Sequence, residues 1–259
     1  MSGAQDRAAG PDASPADDGR LPAAVGILGA GRAGTGLARA IARIPRLTPG
    51  AAAPRVVMAA SRPPAALRHH LTVYAPEAEA VRPDQLATDT ELTVIAVPRE
   101  DLDEIEVADL VGPRTRAVVD LTNSWGGYGL PDDVTAFLPD VAGGSRPGDD
   151  TLAVAAWLRD RGLEVPVLRA FFDISHHDMD SAGRAEQPLR ALAVGSEADG
   201  EQARGMLAAL VSAMGYAPVE FCGLHRAAVV EPEGPGFGEE HTAAELRHLL
   251  DTASSHLRW

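Results

Sequence analysis

The segment Val25-Gly26-Ile27-Leu28-Gly29-Ala30-Gly31-Arg32-Ala33-Gly34 places the spacing G-x-G-x-x-G between two recognisable elements. Before it, Ala24 to Leu28 is a short apolar run that reads as a strand. After it, Leu37, Ala38, Ala40, Ile41 and Ile44 recur on one face of a helix. In a strand-turn-helix unit each glycine has its own reason. Gly29 makes the tight turn, Gly31 lets the backbone approach a pyrophosphate, and Gly34 lets the helix pack on the strand. The phosphates then sit at the helix N-terminus, where N–H groups lack partners. Such a glycine pattern without this context is weak, and with it the segment predicts a dinucleotide site over a plain glycine-rich turn.

The end of the second strand selects the dinucleotide. An NAD site ends that strand on Asp or Glu, which holds the ribose 2′-hydroxyl, whereas an NADP site replaces the acid and brings an Arg close. Here Val56-Val57-Met58-Ala59-Ala60 runs into Ser61-Arg62. A hydroxyl and a guanidinium suit a 2′-phosphate, because the guanidinium forms paired, charge-assisted hydrogen bonds with it. NADP(H) is the expected cofactor.

Strands continue to alternate with helices. Leu92 to Val97 reads as a buried strand ending at Pro98, Asp101 to Leu110 as a helix, and Ala117 to Leu121 as the next strand. Thr151 to Arg161 reads as a helix and Val167 to Phe172 as a strand. After Ala191 to Val194, Ser196 and Asp199 suggest a capping box for a helix closed by Gly215. This pattern predicts an α/β fold with a doubly wound parallel sheet and ligands at the carboxyl ends of its strands. The expected layout is a disordered tail over 1–22, an NADP-binding Rossmann domain over 23–165, and a smaller C-terminal α/β domain for substrate and dimerisation over 166–259.

A chain of 259 residues accommodates that layout, and its net charge of −14 disfavours a general grip on nucleic-acid phosphates. The first twenty residues contain no apolar segment fit for a signal peptide or anchor. The single cysteine, Cys222, allows no intrachain disulfide and no cysteine-based zinc site, so a cytoplasmic location with no membrane contact is expected. Cys222 itself reads as a buried strand-end thiol. In the C-terminal segment, Ala243, Leu246, Leu249, Leu250, Ala253 and Leu257 form an apolar stripe that must be buried on this chain or on a partner.

Taken together, Gly29-x-Gly31-x-x-Gly34, Ala60-Ser61-Arg62, Ile95-Ala96-Val97-Pro98, Val119-Asp120-Leu121-Thr122-Asn123, Arg169-Ala170-Phe171 and Pro235-Gly236-Phe237-Gly238 resemble the NADPH-dependent reductases of the deazaflavin coenzyme F420. The resemblance covers roughly residues 23 to 255. It implies hydride transfer between NADP(H) and a deazaflavin stacked in a cleft between two domains, in a homodimer. By position, Gly29, Ala30, Arg32, Ala33, Ser61 and Arg62 would hold the adenosine and phosphates, and Ala96, Val97, Pro98 and Asn123 would flank the nicotinamide. Phe237 would border the substrate. The chain departs from the family's Lys-Ala-Phe-Asn by reading Arg169-Ala170-Phe171-Phe172.

The acceptor half is less specific. Trp125, Tyr128, Phe171 and Phe172 form either an aromatic slot for a flat substrate or ordinary core. The run Asp173-Ile174-Ser175-His176-His177-Asp178-Met179-Asp180 reads as an acceptor pocket, a metal site or a solvated loop, and lacks the H-x-x-x-H spacing of a helical metal site. In the first reading His176 or Asp173 supplies a proton. Two further functions fit the same sequence: an NADPH-dependent reductase of an imine, activated alkene or flavin, and a sensor that binds NADP(H) without turnover.

Overall fold

The computed structural model describes residues 19–124, 129–139, 148–180 and 189–256. Trp125, Tyr128, most of the N-terminal tail and most of the glycine-rich stretch before Asp150 lie outside them. The strands are β1 (Ala24–Leu28), β2 (Arg55–Ala59), β3 (Glu79–Ala80), β4 (Leu92–Ile95), β5 (Ala117–Asp120), β6 (Val167–Ala170), β7 (Ala191–Ser196) and β8 (Ala217–Cys222). They form one sheet in the order β3-β2-β1-β4-β5-β6-β7-β8. From β3 to β6 all neighbours are parallel, β7 is antiparallel to β6, and β8 is parallel to β7. The first six strands follow the doubly wound order, which places ligands beyond their carboxyl ends. The strands after residue 165 hydrogen-bond into this same sheet.

The helices are α1 (Arg32–Ala42), α2 (Ile44–Leu47), α3 (Pro64–Tyr74), α4 (Asp132–Thr135), α5 (Asp149–Asp160), α6 (His176–Asp180), α7 (Glu201–Ala213) and α8 (Ala243–His256). On one face of the sheet α1, α3, α6 and α7 pack over Ile27, Met58, Val94, Val119 and Leu168, and on the other α5 packs Val154, Trp157 and Leu158 over Val118 and Val167. Both faces of the central strands are covered, which is why those strands read as continuous apolar runs and not as alternating ones. Among the described residues no helix is long and apolar enough to cross a membrane.

Local differences from expectation have physical causes. Asp101 to Leu110 is two short 3-10 segments, Arg99–Glu104 and Val107–Leu110, because Ile105 and Glu106 are extended. No capping box forms ahead of α7. Ser196 remains in β7, where its hydroxyl accepts a bond from Arg204, and Gly200 caps the helix without a side-chain bond. Cys222 is exposed, as the outward-facing last residue of an edge strand whose burial alternates. Part of the C-terminal stripe is covered by this chain itself: Leu246 and Leu250 of α8 pack with Phe172, Ala193, Val219 and Val230, Ala243 and Leu249 are half-buried, and the Ala253 and Leu257 side chains lie outside the described residues.

Candidate functional site

The carboxyl ends of β1, β2 and β4 meet around a cleft of about 400 Å³. Gly29 leaves β1 with φ +116°, and its N–H donates to the Ala59 carbonyl at 2.8 Å. A Cβ there would lie 2.3 Å from the Ala96 carbonyl oxygen, and one on Gly34 would lie 2.1 Å from the Gly29 carbonyl oxygen. Neither position tolerates a side chain without moving backbone. Gly31 differs, because a Cβ added to it meets nothing within 4 Å. Its missing side chain leaves room that opens on the cleft it lines.

Beside that space begins α1, an eleven-residue helix with no side-chain cap and no acidic residue in its first turn. Its first N–H groups lack helical partners, and the helix dipole adds partial positive charge at that end. A pyrophosphate fits this cradle on both counts. Ala60, Ser61 and Arg62 from the end of β2, and Ala96, Val97 and Pro98 from the end of β4, line the same cleft. Ser61 and Arg62 are exposed, and no carboxylate ends β2.

Sequence reading missed the opposite wall, where Asp101, Glu104, Glu106 and Asp109 line the cleft. Burial raises the Asp109 carboxyl above its usual range, and the charges of Asp84 and Glu106 push the same way. No sequence spacing signals this wall, because the two short 3-10 segments replace the single expected helix. A second missed contact joins α3 to the glycine loop: His70 Nε2 donates to the Ala30 carbonyl at 3.0 Å.

Beyond β5 and β6 the charged residues face one another. Arg99 and Arg169 are 2% and 0% exposed, and both approach Asp120, at 3.5 and 3.4 Å. Arg99 also donates to the Thr122 hydroxyl and carbonyl, while Asp120 accepts from the Thr122 N–H and hydroxyl. Arg169 donates to Glu231 at 2.7 Å, and Glu231 accepts again from the Thr151 hydroxyl of α5. Burial pulls the Arg99 guanidinium down, and the Asp120 charge opposes that. A charged residue closing the apolar run of β5 was the sequence signal for this network.

The network fixes Asn123. Its Oδ1 accepts from Arg169 at 3.0 Å, and its Nδ2 donates to the Phe172 carbonyl at 2.7 Å. The amide is therefore held by the protein itself, outside the described cleft. Phe171 and Phe172 are each 2% exposed, which favours the core reading of these two residues over the aromatic slot. Phe171 packs in the core beneath α1 and α7, and Phe172 packs beside α8 with its ring 4.2 Å from the Arg169 guanidinium.

Asp173 and His176 follow β6 but do not line the described cleft. Asp173 Oδ2 accepts from the Ala193 N–H at 2.7 Å, extending the β6–β7 seam, while Oδ1 is buried without a partner. Burial pushes this carboxyl up to about 6, against the pull of its backbone bonds and of Arg190 and Arg169. His176 opens α6, part-buried, with its ring 4.0 Å from that of His177. Phe237 is half-buried in the turn before α8.

Residues 24–124 match the family described as NADP oxidoreductase, coenzyme F420-dependent. Among solved structures, a hypothetical protein from Sinorhizobium meliloti is similar at 20% identity and a TM-score of 0.62, over 85% of this chain and 95% of that one. A putative F420-dependent NADP reductase from Arthrobacter is similar at 18% identity and a TM-score of 0.53, over 79% and 86%. Glycerol-3-phosphate dehydrogenase from Plasmodium falciparum is similar at 10% identity and a TM-score of 0.56, over 81% and 55%. At these identities the likeness is one of fold. No curated protein matches the chain. The family match covers the strands and turns that build the cleft, and with it the chain is an NAD(P)-dependent oxidoreductase of Rossmann type.

Proposed function

We propose that this protein transfers a hydride between NADP(H) and a deazaflavin of the coenzyme F420 type. The observation that supports it most is the meeting of Gly31, Ser61 and Arg62 in one cleft with the uncapped start of α1. Bound there, the dinucleotide supplies the hydride, and reducing a deazaflavin takes one further proton. Gly31 and the first turn of α1 would receive the pyrophosphate, and Ser61 with Arg62 the 2′-phosphate. Ala96, Val97 and Pro98 would direct the nicotinamide toward the ends of β5 and β6. Positioning of this kind is most of what a protein contributes when the bound rings carry the chemistry.

In this reading residues 23–165 hold the nucleotide and residues 166–259 border the acceptor. Asp173 is the proton donor, since its carboxyl near pH 6 is poised for transfer and one of its oxygens is unpartnered. His176 is placed beside it in sequence as a second donor. A homodimer follows from the resemblance alone, because Leu246 and Leu250 of the α8 stripe are already buried within this chain.

The test mixes purified protein with NADPH and coenzyme F420 and follows both absorbances. NADPH should be consumed one for one with the oxidised deazaflavin. Consumption only with an imine, an activated alkene or a flavin would move the acceptor and leave the nucleotide site intact. Binding of NADPH with turnover of no acceptor would leave the sensor reading.

A further inference from the structure

His70, in the last turns of α3, reaches across to the glycine loop, its Nε2 3.0 Å from the Ala30 carbonyl oxygen. A carbonyl accepts and never donates, so Nε2 carries the proton in this contact. The ring is held from two sides. Tyr74, one turn further on, packs its ring against it at a tilt of 34° with centroids 4.5 Å apart, and the Tyr74 carbonyl is tied to Arg39 of α1. The half-buried imidazole thus links α3, α1 and the loop between β1 and α1.

The consequence lies in the peptide that His70 grips. A trans peptide is planar, with its C=O and N–H pointing in opposite directions. Holding the Ala30 carbonyl toward α3 therefore turns the Gly31 N–H away from α3. Gly31 is also the residue whose absent side chain leaves the space on the cleft open. A loop flanked by glycine on both sides of Ala30 has little stiffness of its own, since glycine readily adopts positive φ. An external hydrogen bond is what selects one orientation for this peptide.

We propose that His70 is a positioning residue for the dinucleotide: by anchoring the Ala30–Gly31 peptide it presets the Gly31 N–H as a donor to the pyrophosphate. This rests on the reading of the cleft as an NADP(H) site. The ligand chemistry is the pyrophosphate, so the contribution is the same for NADPH and NADH. Discrimination between the two stays with Ser61 and Arg62.

The experiment compares NADPH binding by calorimetry, and melting temperature, for the full chain and for His70→Leu, His70→Gln and His70→Asn. A Gln amide nitrogen stands near the position of Nε2, whereas an Asn nitrogen stands near that of Nδ1 and falls short of Ala30. His70→Leu and His70→Asn should weaken NADPH and NADH alike by about three- to tenfold, the worth of one hydrogen bond. His70→Gln should bind within about twofold of the native chain, a difference much smaller than one hydrogen bond. Where turnover is measured, KM for NADPH should rise with kcat nearly constant. Native affinity in His70→Leu, or a lowered melting temperature with unchanged affinity, overturns the proposal and leaves His70 a packing residue. If the native chain binds neither dinucleotide, the reading of the cleft falls and takes the proposal with it.

Discussion

The two ends of the β-sheet's ligand-facing edge treat polar groups in opposite ways. At the ends of β1, β2 and β4 they are left open: the first turn of α1 is uncapped, Gly31 faces empty space, and Ser61 and Arg62 are exposed. At the ends of β5 and β6 they are closed on one another, with Arg99, Arg169, Asp120, Glu231 and Asn123 bonded in a buried network. Open donors have a free-energy reason to take an anionic ligand, and satisfied ones do not. The first region is therefore the one suited to a ligand, while the second holds the strand ends, the start of α5 and the Asn123 loop in fixed relation.

If the second region is a self-satisfied scaffold, breaking it should cost stability far more than nucleotide affinity. Arg169→Leu removes the ion-pair partner of Glu231 and one of the two of Asp120, leaving Asp120 with Arg99 alone and the buried carboxylates under-compensated. A loss of about 3 to 5 kcal/mol in urea unfolding is expected, as for other buried pairs broken on one side. A loss below about 1 kcal/mol would show the network to be solvated, and the contrast between the regions would dissolve.

Asp173 is the exception inside the closed region, because one of its oxygens is buried and unpaired. Its carboxyl is raised in the folded chain from the ordinary 3.8 to about 6. The folded state thus holds the proton more tightly, and its stability from this group is complete below pH 3.8 and lost as pH climbs through about 6. Asp173→Asn keeps an acceptor for the Ala193 N–H and removes the titration. Relative to the native chain the variant should gain on the order of 3 kcal/mol between pH 4 and pH 8, from the size of the shift. A pH-independent difference between the two would place Asp173 in contact with water. The same variant should slow turnover if Asp173 donates the proton.

A smaller effect sharpens the open region. Gly31 has φ −77°, which any residue adopts, and a Cβ there meets no neighbour. Gly31→Ala should leave unfolding within about 0.5 kcal/mol of the native chain, as for other substitutions that touch nothing. The added methyl stands where the pyrophosphate would lie, so NADPH affinity should fall by about 1 to 3 kcal/mol, the range for overfilling a packed site. Unchanged affinity would mean that the dinucleotide does not approach Gly31.

The same contrast explains what could be read from the chain. The nucleotide half is encoded locally: Gly29, Gly31 and Gly34 lie within one turn, and Ser61-Arg62 follows its strand directly, so spacing alone carries their geometry. The closed network joins residues separated by up to 80 positions, such as Thr151 and Glu231, and a linear pattern carries no distance of that kind. Phe171 and Phe172 look alike in a sequence as slot or as core. The turn at Phe171, with φ +64°, sends both rings into packed clusters. The antiparallel entry of β7 and the capping of α7 by Gly200 are likewise settled by how the last strands pack, not by propensity.

The most direct measurement is a calorimetric titration of the native chain and of Arg62→Ala with NADPH and NADH. If the open cleft holds NADP(H) with its 2′-phosphate on Ser61 and Arg62, the native chain should prefer NADPH. Arg62→Ala should then lose about 1.5 to 3 kcal/mol of NADPH affinity, some ten- to a hundredfold, while its NADH affinity stays near native. Equal affinities of the native chain for the two nucleotides would contradict the assignment, and would give the acidic wall of Asp101, Glu104, Glu106 and Asp109 the larger say in that cleft.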